Sequence, residues 1–248
     1  MKNISIILIE PENAGNTGAV CRAMGNFDFE NLILAGPKFE KDSKELVDRA
    51  KWAKDVLKNI KIIKKYDNKN LNTLKKLRKE FDYLVATTAK IGNDYNILRS
   101  PLSAEQLAEK INELDLKQKN KKEIKIGIVI GREGIGMTNS EVELCDFAVT
   151  IPTSKKYGTM NLSHATTIIL YEIFKRTAEE NIISHIRPAS ERDKEQIMKM
   201  LNEKLDKMDF TTPEKKETQK TLWKKLVGKS FMSKREAFAL MGFFRKMK

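Results

Sequence analysis

Three turns rich in glycine and asparagine hold the residues of this sequence best suited to chemistry. The first is Pro11-Glu-Asn-Ala-Gly-Asn16-Thr-Gly-Ala-Val-Cys-Arg22-Ala-Met-Gly-Asn26 and the second is Gly131-Arg-Glu133-Gly-Ile-Gly136-Met137. The third is Ile151-Pro-Thr-Ser-Lys155-Lys156-Tyr157-Gly-Thr159-Met160-Asn161-Leu-Ser-His164. Glycine lets backbone N–H and C=O groups approach a ligand with no side chain in the way. Structural punctuation would explain any one of these turns. Three together predict a compact ligand held mainly by backbone groups. The second turn reads G-x-x-G-x-G, not the G-x-G-x-x-G of a dinucleotide site, and no G-x-x-x-x-G-K-[ST] phosphate loop occurs. Two cysteines and two histidines give no zinc or haem spacing, so no metal is expected.

The elements that must position these turns follow from hydrophobic patterning. Short apolar runs alternate with segments of helical period, the pattern of a mostly parallel sheet flanked by helices, an α/β fold. Strands are predicted at Ile4–Ile9, Asn31–Leu34, Lys61–Lys64, Tyr83–Thr87, Ile126–Ile130 and Phe147–Ile151. Helices are predicted near Gly18–Gly25, Ser43–Lys58, Asn72–Phe81, Ala104–Leu114, Thr138–Leu144 and Asn161–Glu180. Each of the three turns therefore follows a strand, and carboxyl-end loops are where open α/β sheets bind ligands. Pro188 ends the alternation, which places a domain boundary near residue 185. Residues 1–185 read as one α/β domain, and 186–248 as a small all-α domain of three helices. The apolar stripes of those helices are Ile197, Leu201, Leu205 and Met208, then Leu222, Trp223 and Leu226, then Phe238, Met241 and Phe244.

Charge is concentrated toward one end. Residues 1–187 carry 31 basic and 25 acidic side chains, whereas residues 188–248 carry 16 and 9. Within 220–248 nine basic residues stand against Glu236 alone. Such a surface implies a polyanionic partner through counterion release from phosphates, although a chain that is lysine-rich throughout would show the same balance. Lys155, Lys156 and Tyr157 form a basic-aromatic loop suited to phosphate contact and stacking on a base. No apolar run approaches the roughly 18 residues of a membrane-spanning helix. The opening apolar run reads as a first strand, with no signal peptide. Cys21 and Cys145 are distant in sequence and fit a reduced, cytoplasmic location.

The three turns also carry a resemblance. Asn13 through Met24, Ile128 through Met137 and Ile151 through Ala165 resemble, in order and at suitable spacing, the three motifs of the SPOUT superfamily of knotted methyltransferases, in its TrmH-type 2′-O-methyl branch. The match spans roughly residues 3–180. A catalytic domain followed by a short helical, basic domain is similar to the TrmJ-type tRNA methyltransferases, which act on the ribose at nucleotide 32 of the anticodon loop.

This resemblance implies a deep trefoil knot, a homodimer with active sites near the subunit interface, and S-adenosylmethionine as cofactor. It implies cofactor contacts at Thr87, Thr88, Ala89, Gly131, Glu133, Gly136, Ile151, Thr159 and Met160. The family's motif-one arginine falls on Arg22, which becomes the leading catalytic residue. A guanidinium with pKa above about 12 is a poor base, so Arg22 is expected to hold a substrate phosphate and stabilise a developing alkoxide. Asn16 and Asn161 are expected to fix the loops and orient the ribose. Thr159 stands where the family often has serine and would hydrogen-bond the cofactor or hydroxyl. Glu133 is expected to organise backbone N–H groups of its own turn, and His164 to be a packed or solvated helix residue. The RNA contacts are expected at Lys155, Lys156, Tyr157, Lys224, Lys225, Lys229, Lys234 and Arg245. An rRNA 2′-O-methyltransferase would share every motif, separable by which RNA accepts methyl groups. A non-catalytic RNA-binding module would share the basic tail, separable by cofactor binding.

Overall fold

A computed structural model of the chain describes residues 3–90, 101–117, 124–177 and 186–247. The apolar runs form β1 (Ile4–Ile9), β2 (Asn31–Ala35), β3 (Lys61–Ile63), β4 (Tyr83–Thr87), β5 (Leu102–Ser103), β6 (Ile126–Ile130) and β7 (Phe147–Thr150). They pair in the order β3-β2-β1-β6-β4-β7-β5, and every pairing is parallel. β1 and β6 are buried at every residue, which is why they read as Ile/Leu/Val-rich runs interrupted only by Ser5 and Gly127. The pleat sends alternate residues to opposite sides. Ile6 and Leu8 join one apolar cluster, with Val20, Leu107 and Ile169. Ile7 and Ile9 join the other, with Leu74, Leu77 and Val142.

The helices of this part are α1 (Ala14–Asn26), α2 (Lys44–Ala50), α3 (Lys54–Lys58), α4 (Asn72–Glu80), α5 (Ala104–Lys117), α6 (Asn139–Glu143) and α7 (Leu162–Thr177). Helix α1 begins four residues before the predicted Gly18, because Asn13 caps it by accepting a hydrogen bond from the Asn16 N–H at 2.8 Å. Its glycines serve packing rather than turning. A Cβ on Gly18 would collide with the Leu46 carbonyl oxygen and stand 2.7 Å from Arg49 Cβ, so α2 can lie this close only against glycine. The predicted helix Ser43–Lys58 is broken at Lys51-Trp52-Ala53, where Lys51 takes a left-handed φ of 54°. The break brings Ala53 against Gly25, whose added Cβ would lie 3.2 Å from Ala53 Cβ. β5 has only two residues and no apolar run to announce it.

The chain divides into two compact units, Met1–Ala178 and Glu179–Lys248. The predicted boundary at residue 185, and the predicted end of α7 at Glu180, lie outside the described residues. The second unit contains α8 (Glu191–Lys207), α9 (Pro213–Lys229) and α10 (Lys234–Lys246). Ser190 with Asp193, and Ser233 with Glu236, close reciprocal capping boxes at the starts of α8 and α10. Its core is Ile197, Leu201, Leu205, Val227, Ala237, Met241 and Phe244. All three predicted stripes differ in part. On α8, Met208 is the exposed C-cap residue while Ile197, Leu201 and Leu205 are buried. On α9 the core takes Val227 and part of Trp223, while Leu222 and Leu226 face outward. On α10 Phe238 is exposed.

Gly18→Ala is expected to destabilise the protein by about 1–3 kcal/mol, the range for overpacking a tight interface. Gly228→Ala is the matched control, because nothing lies within 4 Å of its added Cβ. There, inside α9, the loss of glycine flexibility should stabilise by roughly 0.5–1 kcal/mol. Urea denaturation of both variants checks the contrast; equal midpoints would refute the packing role of Gly18.

Candidate active site

The three glycine-rich turns meet at one cavity of about 490 Å³, a size typical of a small-molecule site. It lies at the carboxyl ends of three adjacent strands: Thr87 ends β4, Ile130 ends β6 and Thr150 ends β7. Thr87 turns its hydroxyl inward to donate to the Val129 carbonyl at 2.9 Å. The Thr88 N–H donates to the Val149 carbonyl at 2.9 Å, locking the three strand ends together.

The motif-two turn is a tight hairpin. Arg132 and Gly136 exchange backbone hydrogen bonds of 3.2 and 3.1 Å. Gly134 and Gly136 take φ of 87° and 71°, a region that L side chains rarely enter. The third turn closes on itself between Ser154 and Tyr157, which leaves Lys155 and Lys156 exposed at its tip.

Amides tie the turns to one another. Asn161 Nδ2 donates to Asn16 Oδ1 at 3.1 Å, and Asn161 Oδ1 accepts from the Ser163 N–H at 2.8 Å and the Ser163 hydroxyl at 2.7 Å. Asn16 Nδ2 donates to Glu133 at 3.4 Å, and the Glu12 N–H donates to the same carboxylate at 3.1 Å. Glu133 therefore organises the first turn instead of its own, a correction to the expectation from sequence. The cause is the approach of the first turn to within hydrogen-bonding distance of it.

Beneath the hairpin lies a feature that the sequence did not announce. The Arg132 side chain is 7% exposed and sits between two carboxylates: Nε meets Glu10 at 2.8 Å and Nη2 meets Glu141, itself 1% exposed, at 2.8 Å. Asn68 accepts from the same guanidinium and donates to Glu10 at 2.9 Å. Lys38 reaches Glu10 at 2.9 Å, and the Tyr66 hydroxyl donates to Glu141 at 2.9 Å. Burial alone would raise the Glu10 carboxyl, but hydrogen bonds from Lys38, Asn68 and Arg132 outweigh it and hold the group at about 2. Glu141 is likewise buried and is held below the ordinary carboxylate range by Arg132, the Thr138 N–H and Tyr66. Burial, and then the charge of Glu141, push the Tyr66 phenol upward, so it stays a donor. Glu141 also closes the α6 capping box with Thr138.

The cavity gathers Thr87, Thr88, Ala89, Gly131, Glu133, Gly136, Ile151, Thr159 and Met160, together with Asn16, Asn161 and Tyr157. Arg22 is not among its lining residues and is exposed on α1. Neither Lys155 nor Lys156 lines it. His164 is exposed on α7 and lies outside the lining as well. Ile130, Met137, Val149, Leu162 and Ile169 supply an apolar wall that sequence reasoning did not assign to the site. Among the described residues no group of three or more His, Cys, Asp or Glu could hold a metal, and no helix is long and apolar enough to cross a membrane.

A parallel sheet with this strand order, carrying a cavity built from three motif turns, defines a class of enzyme. Residues 3–171 match the SpoU rRNA methylase family, and the chain belongs to it. More particularly, the chain is 38% identical over 243 residues to a tRNA (cytidine-2′-O-)-methyltransferase TrmJ of Methanocaldococcus jannaschii, covering 98% of each chain. Among solved structures it is similar to TrmJ from Z. mobilis ZM4, with a TM-score of 0.65 and 24% identity over 97% of each chain. It is also similar to an AdoMet-bound rRNA methyltransferase from Sinorhizobium meliloti. That match has a TM-score of 0.52 and 18% identity, over 71% of this chain and 57% of that one. These two structural likenesses establish the fold.

Arg132→Leu would leave Glu10 and Glu141 buried with no guanidinium between them. It should cost about 3–5 kcal/mol, as breaking a buried pair from one side does; an unchanged urea midpoint would refute the role given to Arg132. The pH dependence follows from the lowered carboxyls. Their contribution is complete above the ordinary value of 4.5 and is lost as pH falls through the folded value of about 2 for Glu10. The melting temperature should therefore drop between those limits, and Glu10→Gln should flatten the drop. A wild-type profile that is flat over this range would contradict the network's charge state.

Proposed function

We propose that this chain transfers the methyl group of S-adenosylmethionine to a ribose 2′-hydroxyl of tRNA, at nucleotide 32 of the anticodon loop. The observation that carries the reading is the single cavity at the ends of β6, β4 and β7, lined by all three motif turns. Near-full-length similarity to a tRNA 2′-O-methyltransferase supports tRNA as the substrate. The cavity suits the cofactor: its volume fits a nucleoside-sized ligand, its wall is apolar, and its rim presents hairpin backbone and threonine hydroxyls. When bound, S-adenosylmethionine supplies a methyl group attached to a positively charged sulfur.

The chain's own residues do the rest. The strand ends, the 131–136 hairpin, Thr159 and Met160, all of which line the cavity, hold the cofactor. Asn16 and Asn161, fixed to each other, orient the ribose at the mouth. Alignment of the hydroxyl with the methyl carbon then supplies much of the acceleration. Arg22 holds a substrate phosphate and stabilises the oxygen as it loses its proton, and the phosphate or a water accepts that proton. Because Arg22 is exposed and outside the cavity of its own chain, the protein acts as a homodimer in which α1 of a second copy brings Arg22 to the mouth. The trefoil knot is part of the same reading, and rests on the family to which the chain belongs. Residues 186–248 serve as the tRNA-binding domain, through the exposed Lys224, Lys225, Lys229, Lys234 and Arg245. Lys155 and Lys156 add phosphate contacts at the tip of the third turn. The location is cytoplasmic, where tRNA and a reduced thiol environment coincide.

Mass-spectrometric mapping of tRNA incubated with protein and cofactor should locate a 2′-O-methyl ribose at nucleotide 32. Modification of rRNA in place of tRNA, or of neither, would overturn the reading. Arg22→Ala should abolish turnover while cofactor affinity by calorimetry stays within a few-fold, since its contribution is confined to the RNA and the transition state. Full activity in that variant would remove Arg22 from the mechanism.

A further inference from the structure

We infer that Phe231 and Phe238 form a stacking surface for unpaired nucleobases, set within the basic end of the second unit. This deepens the function proposed above and rests on RNA being the substrate. Phe231, on the connection between α9 and α10, is fully exposed, and Phe238 in the second turn of α10 is 53% exposed. Ala237, Met241 and Phe244 of the same helix fill the unit's core, so the exposure of Phe238 is not a shortage of interior. Single exposed apolar residues are ordinary; three exposed phenyl rings in one small basic unit, those of Phe231, Phe238 and Phe243, are not, and Phe231 and Phe238 are the two that lie nearest in sequence to Lys234.

Basic side chains predominate along α10 around the Phe238 ring. Lys234 Nζ stands 5.7 Å from the Phe238 ring centroid, a cation–π distance. On the helix, Lys234 and Arg235 precede Phe238 by one turn and Arg245 follows by two, so the ring is flanked by charge along α10. Gly242, one turn beyond Phe238, offers open space, since nothing lies within 4 Å of where its Cβ would be. Hydrogen bonds from Lys234 N–H to the Arg187 carbonyl at 2.7 Å, and from Ala189 N–H to the Met232 carbonyl at 2.9 Å, bring Arg187 alongside the same connection. Of the acidic groups that open α8 and α10, Asp193 and Glu236 accept the N–H groups of capping boxes and Glu191 pairs with Lys194 at 3.0 Å.

A partner that fits must be polyanionic and must present flat apolar faces. Unpaired nucleic acid has both, whereas the bases of a duplex are stacked on one another and withheld. A second copy of this unit fits poorly, because residues 188–248 would bring 16 basic side chains against 9 acidic ones to a surface that is already positive.

The test uses the full chain carrying Phe231→Ala and Phe238→Ala together, with Lys224→Ala and Lys225→Ala as the electrostatic comparison. Fluorescence anisotropy is read over a salt series with a short hairpin RNA bearing an unpaired loop and with a fully paired RNA of the same length. The aromatic variant should bind the hairpin at least about 5-fold more weakly, the loss expected for one base–ring stack. Its salt slope should be unchanged, and so should its affinity for the paired RNA. The lysine variant should lose roughly 0.7–0.9 of slope per contact on both RNAs. Phe238→Trp should restore hairpin binding, and an unchanged melting temperature shows that both alanine variants fold. Three results would overturn the inference: equal hairpin affinity, an equal loss on paired RNA, or wild-type dimers that the aromatic substitutions dissociate. Failure of the wild type to bind either RNA would instead bring down the proposed function, and the inference with it.

Discussion

Arg132 is the point on which the first unit turns. Its guanidinium leaves water to stand between Glu10, at the end of β1, and Glu141, in α6, and every other polar group nearby aligns to offset the cost of that burial. A buried ion pair is rarely worth more than a well-packed apolar substitute, so net stability is a poor reason for its presence. Its consequence is geometric. The backbone of Arg132 is the first residue of the motif-two hairpin, and its side chain is clamped at three nitrogens, to Glu10, Glu141 and Asn68. The hairpin that walls the cavity therefore cannot swing without exposing two carboxylates held in their charged form. A flexible glycine turn alone would give close approach without fixed position; the clamp supplies the position.

The two sides of this hairpin use different physics. Below it are full charges, paired and withdrawn from solvent. Above it, toward the cavity mouth, Asn13, Asn16, Asn161 and Ser163 form a chain of neutral donors and acceptors. Neutral groups can orient a ribose and its phosphate neighbours without competing for the cations that hold the polyanion. Glu133 is the exception at the mouth, and the Glu12 N–H and Asn16 amide directed at its carboxylate temper its charge.

Legibility in the sequence depends on how local each determinant is. The strands β1, β6 and β4 match their predicted bounds because a strand covered on both faces must be a short run dominated by apolar residues. Asn13 as a cap is equally local, yet Gly15 and Gly18 suggest a turn, since close helix packing and turning use the same residue. The kink at Lys51-Trp52-Ala53 has no glycine or proline to mark it; tertiary packing against Gly25 imposes a left-handed lysine there. The three motif turns are recognisable as one site from sequence alone, because each follows a strand end. The Glu10–Arg132–Glu141 clamp is not, because Glu10 and Arg132 are 122 residues apart and neither sits in a period that relates them. On α9 the sequence offers Leu222, Trp223, Leu226 and Val227 within six positions. Which pair faces inward is decided by α8 and α10, not by the helix itself.

The concentration of charge in the second unit sets a limit on what that charge can do. Phosphate contacts position an RNA but carry no sequence information, and the exposed lysines of α9 and α10 would engage any RNA backbone in much the same way. A modification confined to one ribose therefore needs a second criterion that a backbone cannot satisfy. One criterion is depth, since only a ribose free to leave a helix can bring its 2′-hydroxyl past Asn16 and Asn161 to the cavity. Another is the availability of an unstacked base to an exposed ring. Tyr157 at the cavity rim and the phenyl groups beside α10 both present such rings, one in each unit. On the function proposed here, a paired stem would engage the cations alone, whereas an unpaired nucleotide could also meet an exposed ring. On that function, selectivity for an unpaired nucleotide would thus come from groups that a paired RNA does not engage.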